Sequence, residues 1–128
     1  MTDKSVNKKI IAVVDDLMFR SKIQAAASQF SVDVTYPKTE EELKEALAAE
    51  APSLIIFDLG TRSLDGLSTI RFIKNTEHTR GIPVLSFFPH VDDELRKKAV
   101  DAGCEMVVPR SKFSLTLKDI LSRYNKHH

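Results

Sequence analysis

Cysteine is almost absent: Cys104 is the one cysteine in 128 residues. An internal disulfide is therefore excluded, and this usage fits a reducing compartment. Long apolar runs are missing as well. The longest, Ile10-Ile11-Ala12-Val13-Val14, has about five residues, far short of the roughly 20 that a membrane-spanning helix needs. The N-terminal stretch carries Asp3, Lys4, Lys8 and Lys9 and lacks the apolar core of a signal peptide. Excess charge of one sign is lacking too. A formal net charge of +1 sets up no global field for nucleic acid or an anionic membrane. No GxxxxGK[ST] or GxGxxG motif occurs, so those routes to nucleotide binding have no support. His78 and His90 have no metal-ligand partners at useful spacing. These absences point to the cytoplasm, with neither membrane nor nucleic acid as a direct partner. The terminal His127-His128 pair, native or appended, is set aside.

The composition that remains, 42% hydrophobic and 29% charged, is that of a globular domain long enough to bury a core. Short apolar runs alternate with amphipathic segments. Strands are expected at Lys9–Val14, Val32–Tyr36, Leu54–Phe57, Ile82–Phe88 and Glu105–Val108. Helices are expected at Leu17–Phe30, Glu40–Glu50, from Leu64 or Gly66 to Asn75, along the Leu95–Ala99–Ala102 stripe, and along Phe113, Leu117, Ile120, Leu121 and Tyr124. Thr39 with Glu42 reads as a capping box, and Gly103 as a C-terminal cap. Five strands alternating with five helices, with no linker, repeat or low-complexity stretch, predict one doubly wound α/β domain over residues 1–128, its core about 9–124.

Carboxylates gather where ligands bind in such sheets, beyond the carboxyl ends of the strands. The first apolar run ends in Asp15-Asp16, and the run Leu54-Ile55-Ile56-Phe57 ends in Asp58. Three clustered acids repel one another unless a cation sits among them or one of them carries chemistry. The pattern suggests a Mg²⁺ site around a reactive aspartate. The plainer alternative is that Asp15 or Asp16 caps the first helix and Asp58 is a solvated loop acid.

The segments IIAVVDD (10–16), LIIFDLGTRSLDG (54–66), IPVL (82–85) and AVDAG (99–103) together resemble the receiver domains of bacterial response regulators, the chemotaxis-receiver type. The resemblance runs from about Lys9 to Tyr124. It implies a five-stranded parallel sheet in the order 2-1-3-4-5 with helices on both faces. It implies that Asp58 accepts a phosphoryl group from a sensor histidine kinase or phosphotransfer protein. It also implies that Asp15, Asp16, Asp58 and the Gly60 backbone carbonyl hold Mg²⁺. Oxygen donors suit that ion, and a carboxylate attacking phosphorus needs charge neutralisation. Asp65 would enter the third helix rather than bind metal.

The chain departs from the family pattern in the half of the site that senses the phosphoryl group. Phe88 stands where Ser or Thr is usual at the end of the fourth strand, and a phenyl ring donates no hydrogen bond. Ser86 lies two residues earlier on the same face, roughly 6–7 Å back along the strand, and would substitute only through a shift or bulge. Arg110 aligns with the usual lysine, with Lys112 a second candidate, and Pro109 now precedes the basic residue. Val107 replaces the aromatic that often rotates on activation. Phe87, Phe88, Pro89, His90 and Val91 form an apolar patch that is mostly core; Phe88, Pro109 and Arg110 would lie beside the family's usual output face, where one exposed aromatic and an arginine would favour a downstream protein partner. Two readings stand side by side: a stand-alone receiver with altered switching, enzymatic at most in its own phosphorylation and dephosphorylation, or a phosphorylation-independent interaction module. A Mg²⁺-dependent phosphohydrolase would want an acid two residues after the nucleophile, where Gly60 stands.

Overall fold

The computed structural model describes residues 8–60, 64–88 and 92–124, without the side chain of Tyr124. Expectations for Pro89, His90 and Val91, for the N-terminal charges before Lys8 and for the Tyr124 side chain lie outside the described residues. The elements run β1 (Lys8–Val13), α1 (Leu17–Gln29), β2 (Val32–Thr35), α2 (Glu40–Ala49), β3 (Leu54–Asp58), α3 (Gly66–Asn75), β4 (Val84–Phe88), α4 (Asp93–Ala102), β5 (Met106–Pro109) and α5 (Arg110–Tyr124). All four strand pairings are parallel, in the order β2-β1-β3-β4-β5. The chain steps from β1 to β2 on one side and then crosses to β3 on the other. That reversal opens a crevice at the carboxyl ends of β1 and β3.

Alternation along the strands supplies two cores. Ile10, Ala12, Ile56, Leu85 and Phe87 pack under α1 and α5, against Phe19, Ile23, Phe113, Leu117 and Leu121. Ile11, Val13, Ile55, Phe57 and Val84 pack under the other helices, against Leu43, Ile70, Ile73 and Ala99. β3 and β4 are buried along their whole length, which is why their sequences are nearly continuous in apolar residues. No helix among the described residues is long and apolar enough to cross a membrane.

Local signals mostly match the observed ends. Thr39 Oγ1 accepts from the Glu42 N–H at 3.0 Å, while Glu42 Oε1 accepts from the N–H of Lys38 at 2.8 Å rather than from that of Thr39. β5 and α5 differ from expectation. The strand runs through Pro109 and the helix begins at once with Arg110. Proline at the last strand position gives up one donor, and its fixed φ leads directly into the helix. This junction sets where the Arg110 side chain starts.

Lys74 ties α3 to the ends of β4 and β5. Its Nζ donates to the carbonyls of Arg80 (3.1 Å) and Ile82 (2.7 Å) and pairs with Glu105 Oε2 at 2.6 Å. Glu105 Oε1 in turn accepts from the Val84 N–H at 2.8 Å. Gly103 closes α4 at φ 112°, and a Cβ there would lie 2.7 Å from Lys74 Cγ. Gly103→Ala therefore combines left-handed strain with displacement of this lysine, and should cost about 2 kcal/mol or more in urea unfolding.

Candidate functional site

Asp58 is the last residue of β3 and is 4% exposed. The ladder holds it in place: the Leu59 N–H donates to the Phe87 carbonyl at 2.8 Å, just beyond Asp58. Its Oδ1 accepts from the Gly60 N–H at 2.8 Å. Its Oδ2 faces the guanidinium of Arg110, with Nη2 at 3.6 Å. Burial raises the Asp58 carboxyl above its ordinary range. The Gly60 N–H and the Arg110 charge oppose that rise, and the charges of Asp16 and Asp15 reinforce it.

Asp16 is the N-cap of α1. Its Oδ1 accepts from the N–H groups of Met18 (2.8 Å) and Phe19 (3.1 Å). Its Oδ2 lies 3.9 Å from the same Arg110 Nη2. Asp15 is exposed and acts on Asp58 through its charge. The capping alternative thus holds for Asp16, though only one of its oxygens is used. Asp65 caps α3, accepting from the Ser68 N–H at 3.2 Å.

Of the two basic candidates, Arg110 is the one that faces the acids. Lys112 is exposed, whereas Arg110 reaches both acids. Its Cζ sits 4.6 Å from the ring centroid of Phe19. That ring stacks on Phe87 (5.1 Å) and contacts Phe113 (5.9 Å), so the platform beneath the guanidinium is part of the core. Phe19 is the residue of this pocket that sequence reading missed. At helical spacing it reads only as core, which it also is.

The donors around Asp58 have the right chemistry for a hard divalent cation, being all oxygen. Their arrangement does not fit one. Each of the two facing carboxylates has one oxygen engaged by backbone N–H groups and directs the other toward Arg110. Among the described residues no group of three His, Cys, Asp or Glu side chains is placed to hold a metal.

The other expected residues separate from this pocket. Ser86 is fully buried and pairs with Cys104 Sγ at 3.0 Å. β4 is in regular register against β3, without the shift or bulge that would bring the Ser86 hydroxyl to the strand end. Phe88 is itself 3% exposed and pairs in register with Pro109, so neither it nor Phe87 presents an aromatic ring on an output face. Val107 is half-buried and packs against the core beneath α3 and α4. Burial also pushes the Cys104 thiol up, leaving it inert at neutral pH.

No family model matches the chain. Among curated proteins it is similar to response regulator MprA of Mycobacterium leprae, 27% identical over 115 residues that cover 90% of this chain and 48% of that protein. MprA of Mycolicibacterium vanbaalenii is 25% identical over the same length. The chain spans about half the length of these relatives. Solved structures agree on architecture. The phosphorylated cyanobacterial phytochrome response regulator RcpA superposes with a TM-score of 0.77 at 22% identity, covering 94% of this chain and 93% of that one. The receiver domain of the Pseudomonas aeruginosa histidine kinase PA1611, solved with a magnesium ion coordinated in its active-site cleft, gives 0.78 at 21%, covering 92% and 97%. The fold is that of a receiver domain. In the receiver fold, Asp58 ends the third strand of the sheet and Asp16 opens the first helix.

Two outcomes follow from burial. Because the folded-state pKa of Asp58 is raised, the folded state holds the proton more tightly than the unfolded one. The stability from this difference is present below about pH 4, the ordinary carboxylate value, and is lost as pH rises through the raised pKa. Asp58→Asn removes this slope, so it should raise stability by about 1–2 kcal/mol at pH 7 and by less at pH 4 in urea titrations at both values. Phe88→Ala should cost about 3 kcal/mol or more, the signature of a core residue rather than of a docking surface.

Proposed function

We propose that this domain is a receiver module of two-component signalling in which Asp58 is the phosphoryl acceptor and the usual phosphorylation-coupled switch is altered. The observation that carries this is the asymmetry of the Asp58 carboxylate. One oxygen is fixed by the Gly60 N–H, and the other faces a positive charge. A phosphohistidine on a sensor kinase or phosphotransfer protein would be attacked by Asp58 Oδ2. The new O–P bond forms as the donor P–N bond breaks and the imidazole leaves with a proton from solvent. The Arg110 guanidinium, beside Oδ2, counters the charge brought in by the phosphoryl group. A divalent ion, where bound, would add to that neutralisation. Asp15, Asp16, Asp58 and the Gly60 carbonyl are the proposed donors, reached only after rearrangement. The magnesium-bound PA1611 receiver and the Mn²⁺-bound response regulator Rcp1 support such a site in proteins of this fold. The proposed setting is the cytoplasm, with a downstream protein as the output partner.

Altered switching is supported by what surrounds the acceptor. Phe88 offers no hydroxyl, Ser86 is committed to Cys104, and Val107 has no ring to rotate. The pairing of Arg110 with Asp58 before any phosphoryl group arrives favours a second reading, an interaction module that works unphosphorylated. Incubation with a small acyl-phosphate donor and Mg²⁺, followed by intact mass measurement, separates the two. One phosphoryl adduct, absent in Asp58→Asn, is expected for the acceptor. Unmodified protein under conditions that label a control receiver would establish the second reading.

A further inference from the structure

We infer that Arg110 is the resident cation of the acid pocket, holding the position between Asp16 and Asp58 that a divalent ion would have to take. This deepens the reading of the same site but stands on the pocket's charges rather than on phosphoryl acceptance. A single nitrogen, Nη2, lies 3.6 Å from Asp58 Oδ2 and 3.9 Å from Asp16 Oδ2. Those are the two carboxylate oxygens left over after the Gly60 N–H and the α1 cap have taken their partners. Packing positions the guanidinium on one side. It rests on Phe19 at 4.6 Å, and Phe19 packs against both Phe87 and Phe113, which contact each other, in the core. Its stem begins at the first residue of α5, directly after Pro109, whose place beside Phe88 is fixed by strand register. Even its Nε is buried, with no hydrogen-bond partner. Packing therefore holds the group, and its distances to the acids are those of ion pairs rather than hydrogen bonds.

A charge tethered this way acts at high effective concentration. Any Mg²⁺ entering the pocket must displace it or share the oxygens with a like charge a few ångströms away. Divalent affinity is thus set by the residue at position 110 rather than by the acids alone. The loose pairs leave exchange possible, so the device is competition rather than closure.

The test is a Mg²⁺ titration of the whole chain followed by ¹⁵N NMR, reading the amides of Asp58, Leu59 and Gly60 together with the Arg110 Nε–H. A buried Nε–H exchanges slowly and should be visible. The comparison variants are Arg110→Gln, which keeps a polar planar group over Phe19 without charge, and Arg110→Ala. We expect weak binding in the natural chain, with the Nε–H signal moving in step with the amides. Mg²⁺ binding should tighten on the order of tenfold or more in both variants, and be lost again when Asp58→Asn is added. Equal or weaker Mg²⁺ binding in the variants, or amide shifts without movement of the Nε–H, would overturn the inference. Dispersed spectra of either variant confirm folding, and the two variants guard against loss of one. Failure of phosphoryl acceptance would show in the mass measurement and leave this titration readable, and the reverse also holds.

Discussion

Two carboxylates and one guanidinium share the end of a parallel sheet, and most of what distinguishes this domain follows from how they balance. Asp58 is buried, so its charge is costly without a partner. At an effective dielectric of about 20, a pair at the 3.6 Å separation of Arg110 and Asp58 attracts by about 4–5 kcal/mol before desolvation. Desolvation and partial exposure of the arginine offset most of that. The remainder falls short of cancelling the burial penalty, which is why the Asp58 carboxyl stays raised despite a cation beside it.

The fold exists on both sides of that balance. β1 and β3 bring Asp16 and Asp58 to the same edge because the chain reverses between them. The junction of β5 and α5 delivers Arg110 to the opposite side of the pocket, and the aromatic cluster of Phe19, Phe87 and Phe113 supports it from below. A guanidinium at position 110 differs from an ammonium in more than bulk. A guanidinium has a face that an aromatic ring can hold, and an ammonium is more readily drawn back into water. Around the pocket, Phe88 is buried, the Ser86 hydroxyl pairs with the Cys104 thiol and Val107 packs into the core, so charge rather than hydroxyl groups dominates beside Asp58.

Much of the architecture was legible from the chain alone. The Ile- and Val-rich runs become strands at nearly the expected places, since a strand buried on both faces tolerates little else. Thr39, Asp65 and Gly103 mark helix ends through short-range geometry that a sequence carries directly. The start of α5 was less legible, because Pro109 ends a strand and leads into a helix with no separating loop. Which aromatic of the Phe87–Phe88 pair, if either, reaches the surface was not legible, since an apolar residue at a strand end looks the same whether a helix covers it or solvent does.

The sequence by itself determined that five strands and five helices alternate, that acids stand at two strand ends, and that a phenylalanine and a valine occupy positions 88 and 107. These depend on residue type and on spacing along the chain. Only the tertiary structure decided that Asp16 divides its oxygens between a helix cap and the pocket, that Ser86 is spent on Cys104, and that Arg110 rather than Lys112 lies against both carboxylates on a phenyl platform. Those outcomes depend on which atoms of residues from 18 to about 95 positions apart come within a few ångströms, a distance fixed by strand register and packing rather than by local sequence.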